Sequence, residues 1–261
     1  MIYINDIEDE RIAFYRSLRF TPKLHKDNRA FVAEEEKVVV KLLQSDIEIV
    51  SIFGTKQYLE QYSDLIASKS ISDENIYFAD ISLMRQIVGY RLHYGFLAIG
   101  RQPDDVPLGK LNYPLIIFNA LANAENVGSI VRNAAAFGFQ SIVYDEASIS
   151  PYLRRSVRVS MGNVFRLAVH HSNNIIETIK HLKEKDCKII SIEISEDSQA
   201  LSEFKPMDNR YCFIFGNEGI GISPEVLALS DMIIHIPISP KVPSLNVASS
   251  SAVILNHFSQ L

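Results

Sequence analysis

From Leu115 onward the sequence alternates short apolar runs with helix-length amphipathic segments, and this constrains the fold more than any other feature. Leu115 to Phe118 reads as a buried strand and Val127 to Phe137 as a helix. Ile142 to Tyr144 is the next strand, Tyr152 to Ser160 is helical, and Phe165 to Val169 is extended. Asn174 to Lys185 is a helix followed by the strand Lys188 to Ile194. Cys212 to Phe215 is a strand, Pro224 to Leu229 a short helix opened by proline, and Ile233 to Ile236 a strand. Leu245 to Phe258 is the last helix. Strands that alternate with helices in this way pair mostly in parallel, because each crossover lays a helix on the sheet. The expected fold class is therefore α/β, with a mostly parallel C-terminal sheet covered by helices on both faces.

The first hundred residues have a different texture and predict a small mixed α/β unit. Ile7 to Arg19 suits a helix, Phe31-Val32 a strand, and Glu34 to Gln44 a helix with Val38, Val39 and Leu42 on one side. Ile47 to Phe53 is β-branched enough for a strand that Gly54 ends. Ile76 to Phe78 and Phe96 to Ile99 are further strands, with Ser82 to Val88 helical between them. Pro103, Asp104, Asp105, Pro107 and Gly109 mark a linker. The expected domains are residues 1–100, a linker over 101–111, and residues 112–261.

Composition excludes several classes. No apolar run reaches the roughly 18 residues of a membrane helix, and Asp6, Glu8, Asp9 and Glu10 deny the start of the chain the character of a signal peptide. A cytoplasmic protein without a membrane partner is expected. The two cysteines, Cys187 and Cys212, lack metal-ligand spacing and are expected in the core. A net charge of −5 argues against a nucleic-acid partner when taken alone. However, the field that matters is local. Arg154, Arg155, Arg158 and Arg166 have no acid between them, and Arg16, Arg19, Lys23, Lys26 and Arg29 are broken only by Asp27. Both groups read either as solvated faces or as phosphate contacts.

Ligands of parallel sheets sit beyond the carboxyl ends of the strands, and three polar or glycine-rich segments follow strands there. In the first, Asn126 to Arg132, Asn126 is positioned to cap the following helix, with Arg132 about a turn and a half further on. The second, Gly216-Asn217-Glu218-Gly219-Ile220-Gly221, allows close approach of main chain to a ligand, but matches neither a dinucleotide fingerprint nor a phosphate loop. The third runs from Ile236, Pro237 and Ile238 through Pro240 and Pro243 to Ser244, Leu245, Asn246 and Val247. There Ser244 is the expected N-cap, with Asn246 in the first turn. Taken singly, the first and third read as capped helices, and the second reads as a tight turn or a ligand loop.

In combination they resemble the motifs of the SpoU (TrmH) family of SPOUT RNA methyltransferases. That family carries N-x-G-x-x-x-R, here Asn126, Gly128 and Arg132; G-N-E-x-x-G, here Gly216, Asn217, Glu218 and Gly221; and I-P ahead of S-L-N-V, here Ile236, Pro237 and Ser244 to Val247. Between the motifs, Ser160-Met161-Gly162 and Phe165-Arg166-Leu167 also match. In the first domain, Phe31 to Lys37 resembles the family's F-x-x-E-G-E-K signature, with Glu35 where the signature has glycine. Further departures are Asn123-Ala124-Glu125 where Asp-Pro is common, Pro240 for glycine, and Ala248 for serine.

The resemblance implies a deep trefoil knot in the C-terminal domain, an L30e-like RNA substrate-binding domain before it, and a homodimer paired through the knotted domains. It implies S-adenosylmethionine (SAM) as cofactor, held by Gly216, Asn217, Glu218, Gly219, Gly221, Ile236, Pro237, Ile238 and Leu245. It implies methyl transfer to a ribose 2′-hydroxyl without a metal, with Arg132, Asn126, Glu218, Ser244 and Asn246 as catalytic residues and Arg154, Arg155 and Arg158 as RNA contacts. Ribosomal RNA is the preferred substrate and tRNA the next. The alternatives are a SPOUT enzyme methylating a base nitrogen, a non-catalytic RNA-binding paralogue, and a nucleotide-binding oxidoreductase.

Overall fold

The computed structural model describes residues 1–204 and 210–260. The chain divides into two compact units, Met1–Asp104 with Tyr152–Phe165, and Asp105–Pro151 with Arg166–Leu261.

The first unit is a five-stranded mixed sheet in the order β1-β4-β3-β5-β2, built from β1 (Ile2–Tyr3), β2 (Ala30–Glu34), β3 (Ile49–Gly54), β4 (Ile76–Phe78) and β5 (Phe96–Arg101). Its helices are α1 (Lys23–Asp27), α2 (Glu36–Leu43), α3 (Lys56–Gln61), α4 (Ser63–Ala67) and α5 (Ile81–Val88). Val38, Val39, Leu42 and Leu43 of α2 are buried, as their helical spacing predicts. The expected helix over Ile7 to Arg19 is instead a kinked 3₁₀ segment, Glu10–Tyr15. Its buried residues Ile12 and Tyr15, with Leu18 just beyond its end, recur every third position, which suits three residues per turn better than 3.6. The short elements β1, α1, α3 and α4 have no counterpart in the sequence expectation, since two to six residues carry too little periodicity to read.

The second unit starts with β6 (Leu115–Phe118), α6 (Ala124–Ala136) and β7 (Ser141–Tyr144). The chain then contributes α7 (Arg154–Val159) to the first unit. It returns to the second with β8 (Ala168–His171), α8 (Ile175–Glu184), β9 (Lys188–Ile192), β10 (Gln199–Ala200), β11 (Tyr211–Phe215), α9 (Pro224–Leu227), β12 (Met232–His235) and α10 (Val247–Ser259). Its seven strands pair in parallel throughout, in the order β10-β12-β9-β11-β6-β7-β8.

The central strand β11 is buried along its length, and its alternation separates the two faces. Cys212 and Ile214 join Ile175, Ile179 and Leu182 of α8 and Val226 of α9. Tyr211 and Phe213 face Phe258 of α10 instead, with ring centroids 5.9 and 4.4 Å away. Helix α10 also packs on α6, where Asn133 Nδ2 donates to Ala248 O at 3.0 Å and Ser251 Oγ at 2.9 Å. Both cysteines are buried and free. No helix among the described residues is long and apolar enough to cross a membrane.

The segment Tyr152–Phe165, expected within the C-terminal domain, lies with the first unit because of its contacts with β2. Phe31 meets the rings of Tyr152 and Phe165 at 5.5 and 5.4 Å. Glu34, 2% exposed, accepts from Arg154 Nη1 through both carboxylate oxygens at 2.8 Å, pairs with Arg158 at 3.2 Å, and accepts from the Tyr90 hydroxyl. Burial, and then the negative charge of Glu34, push the Tyr90 phenol up.

Candidate functional site

The site lies beyond the carboxyl ends of β6, β9, β11 and β12 in the second unit. Sequence reasoning gave Asn126 the capping role on α6, but Asn123 is the N-cap, its side chain accepting from Glu125 N. The helix therefore begins a turn earlier, and Asn126 sits in its first turn, 7% exposed, with its amide free to reach across the site. Asn126 Nδ2 donates to Glu218 Oε1 at 2.6 Å, and its Oδ1 accepts from Asn246 Nδ2 at 3.1 Å. At the other end of the unit Ser244 was expected to cap the last helix. Asn246 does so instead: its backbone is non-helical, and its Oδ1 accepts from Ala248 N and Ser249 N. Asn246 thus uses its oxygen for its own helix and its nitrogen for Asn126, which fixes all three motifs to one another.

The loop after β11 is shaped by its glycines and by Asn217. Asn217 Oδ1 accepts from Gly219 N and Ile220 N, while its Nδ2 donates to Ala120 O at 2.7 Å. Main-chain bonds run both ways between Asn217 and Gly221 at 3.0 Å. Gly221 has φ 73, and a Cβ there would come within 2.5 Å of Glu193 Oε2; one on Gly216 would lie 2.6 Å from the backbone of Gly221 and Ile222. A side chain at either position would displace the turn.

A cavity of about 580 Å³ lies against this loop, in the size range of small-molecule sites. Gly216, Asn217, Glu218, Gly219, Gly221, Ile236, Ile238, Ser244, Leu245 and Asn246 line it. Of the other expected residues, Asn126 is one hydrogen bond away, and Pro237 and Arg132 are not part of the lining. Pro237 is exposed beside its lining neighbours. Arg132 is exposed on α6, where residue spacing turns it about a third of a turn from the face of Asn126 and Asn133. Among the described residues its side chain makes no hydrogen bond or ion pair. Two of the expected RNA contacts, Arg154 and Arg158, are held by Glu34 in the first unit.

Sequence reasoning missed a supporting layer. Glu193, just past β9, lines the cavity and accepts from Ile222 N at 3.0 Å. Asn119, just past β6, accepts from Ser223 N and donates to Asp145, which follows β7. The buried Asp145 carboxylate also accepts from Ala120 N. His235 and Ser250 complete the polar lining. The signal was available: each of Asn119, Asp145 and Glu193 directly follows a parallel strand, where ligand loops begin. Among the described residues no group of His, Cys, Asp and Glu is arranged to hold a metal ion.

The fold recurs in solved proteins. An AdoMet-bound rRNA methyltransferase from Sinorhizobium meliloti superposes with TM-score 0.86 at 18% identity, covering 99% of this chain and 97% of that one. The SpoU methyltransferase AviRb from Streptomyces viridochromogenes, in complex with AdoMet, gives 0.83 at 16% identity, over 97% and 98%. In sequence, an uncharacterised tRNA/rRNA methyltransferase of Mycobacterium bovis is 27% identical over 256 residues, covering 95% of this chain and 88% of its own length. Residues 114–256, the stretch that builds β6 to α10 and carries all three motifs, match the profile of the SpoU rRNA Methylase family, and the chain belongs to that family.

Proposed function

We propose that this protein transfers a methyl group from S-adenosylmethionine to a ribose 2′-hydroxyl of RNA, with ribosomal RNA the preferred substrate and tRNA the next. Membership of the SpoU family makes it an RNA methyltransferase; the ribose oxygen and the RNA class are the proposal. One observation carries the reading. Asn126, Glu218 and Asn246, separated by 92 and 120 residues in the chain, are joined by hydrogen bonds beside a cavity lined by two motif loops.

The cavity suits SAM. Its floor at Gly216, Gly219 and Gly221 lacks side chains, so main chain can approach an adenosyl group closely. Among the described residues, the N–H groups of Ile238 and Leu245, which line it, make no hydrogen bond and are free to serve a ligand. Its lining contains Glu193 and Glu218 and no Lys or Arg, which favours a cation. Gly216 to Gly221, Ile236 to Ile238 and Leu245 would hold the cofactor. SAM supplies an already activated methyl on a sulfonium, so the transfer needs no metal.

The protein's own residues orient and stabilise. Asn126, fixed between Glu218 and Asn246, presents a rigid amide toward the reacting region. Ser244 lines the cavity two residues ahead of Asn246. A guanidinium is a poor base, so the role of Arg132 is to grip a phosphate next to the target ribose and stabilise the developing alkoxide, while the hydroxyl proton passes to solvent. Two copies pair through their second units, with exposed Ile220, Leu245 and Val253 offering apolar surface there. The passage from β12 into α10 forms the trefoil knot, the first unit is the L30e-like substrate-binding domain, and the enzyme works in the cytoplasm. Arg154 and Arg158 serve the first unit's packing through Glu34, and any phosphate contact they make uses the guanidinium edges that Glu34 leaves open.

The test is direct. RNA from cells lacking the gene, incubated with the protein and methyl-labelled SAM and digested to nucleosides, should release label only as a 2′-O-methylnucleoside. Label on a base, or none in any RNA fraction, would refute the reading.

A further inference from the structure

We propose that Glu193 is a cofactor-binding residue whose charge makes the cavity favour the cationic methyl donor over its neutral product. The proposal rests on the reading of the cavity as a SAM site.

Glu193 directly follows β9, and its own N–H is anchored on Ile234 O at 3.1 Å. Its carboxylate is held by two main-chain donors: Oε2 accepts from Ile222 N at 3.0 Å and Oε1 from Ile194 N at 3.2 Å. A carboxylate offers about four lone-pair sites, so each oxygen keeps acceptor capacity for a ligand. Its place is fixed from the other side too. The clearance between Glu193 Oε2 and the α-carbon of Gly221 is too small for a methyl group, so the motif glycine is required partly because this carboxylate lies behind it.

The surrounding charges give the residue its consequence. The lining has two carboxylates, and Glu218 already takes the amide of Asn126. The other titratable lining residue, His235, is tied through Nδ1 to Ser198 Oγ at 2.9 Å. No lysine or arginine of the lining offsets Glu193. SAM combines a sulfonium, an ammonium and a carboxylate for a net charge of about +1, and methyl transfer leaves a neutral thioether in S-adenosylhomocysteine. A fixed anion in a partly water-excluded cavity therefore attracts the donor more than the product. The charge lost from the ligand at the moment of transfer weakens its hold and favours product release.

Calorimetric titration of SAM, S-adenosylhomocysteine and sinefungin tests this without turnover. Sinefungin carries an ammonium where the donor carries its sulfonium methyl. In Glu193→Gln, SAM and sinefungin should weaken about tenfold and S-adenosylhomocysteine less than about twofold. The ratio of affinities is read within one protein sample, so general disordering of the loop would lower all three together. An equal loss for all three ligands, or an unchanged ratio, overturns the proposal. Glu193→Asp keeps the charge and should retain the wild-type ratio; an Asp variant with the ratio of the Gln variant also overturns it. If Glu193→Gln does not fold, Glu193→Ser is the second neutral variant, read the same way. A wild-type protein that binds none of the three ligands removes the SAM site itself. A wild-type protein that binds all three, with Glu193→Gln unchanged in ratio, removes only the role of Glu193.

Discussion

Glu35 holds φ 76 and ψ 144, a backbone region that side chains avoid and glycine tolerates. It stands where the family signature has glycine, at the turn from β2 into α2, where Glu35 O accepts from Val38 N and Val39 N. The strain is therefore kept in place by the helix start. Among the described residues its carboxylate makes no hydrogen bond or ion pair, so replacing the side chain forfeits neither. Relief of strain is worth about 1–3 kcal/mol, and the entropy that glycine adds to the unfolded chain offsets about 0.5–1 kcal/mol. Glu35→Gly should stabilise the first unit by about 1 kcal/mol, raising its melting temperature by about 4 °C. Thermal unfolding followed by circular dichroism checks it, and a lower melting temperature would show that the Glu35 backbone is not strained. The same scale shows what the sequence could tell. The substitution was visible at once, but its cost depends on a dihedral angle that only the fold imposes. Likewise the choice of Asn123 over Asn126, and of Asn246 over Ser244, as helix caps turns on where each helix starts. Both displaced residues are good caps by type; Asn126 is instead engaged by Glu218 and Asn246, which lie far away in sequence.

At the scale of elements, β9 and α8 are tied together by Asp231, in the turn before β12. Its Oδ2 accepts from Ile189 N at 2.9 Å, its Oδ1 accepts from Lys183 Nζ at 2.9 Å, and its own N–H donates to Ile189 O. Partial burial pushes the Asp231 carboxyl up, but the Ile189 N–H and the Lys183 ammonium together outweigh it and hold it below the usual carboxylate range. A depressed folded-state pKa stabilises fully above the unfolded value of about 3.9. That stabilisation is lost as pH falls through the folded value. Asp231→Asn should therefore cost about 2 kcal/mol at pH 7. The gap between wild type and variant should close as pH falls below about 4. Urea unfolding across that range measures it, and a gap independent of pH would mean the charge is not what ties the elements. The long elements of this unit were legible because its strands are apolar runs buried on both faces and its helices carry one buried face at helical spacing. Strands β6 and β11 and helices α8 and α10 appear within a few residues of their expected bounds. The support at Asn119, Asp145 and Glu193 was not read, because single polar residues after strands look like ordinary loop composition until strand order brings them together.

For the whole molecule, the division into two units decides how ligand binding is expressed. Each has its own buried cluster: Ile12, Tyr15, Phe53 and Leu97 among others in the first, and Ile117, Ile179, Ile189 and Ile214 in the second. Sequence reasoning placed the boundary between them in a linker over residues 101–111 but could not see that Tyr152–Phe165 belongs to the first. That membership depends on Phe31 and Glu34, more than a hundred residues away, and the local pattern of a helix between two strands fits either unit. The lining of the cavity, by contrast, comes wholly from the second unit. A ligand that binds only the folded second unit stabilises that unit by about 2.7 kcal/mol at a hundred times its dissociation constant. Its melting transition should rise by about 8 °C, while the first unit contributes no residue to the cavity lining. Calorimetric scans with and without saturating SAM should thus show two transitions, of which one moves. The Glu35→Gly variant identifies the other, because it shifts the transition that SAM leaves in place. A single transition that both perturbations move together would mean that the two units unfold as one, and that the clusters are not independent cores.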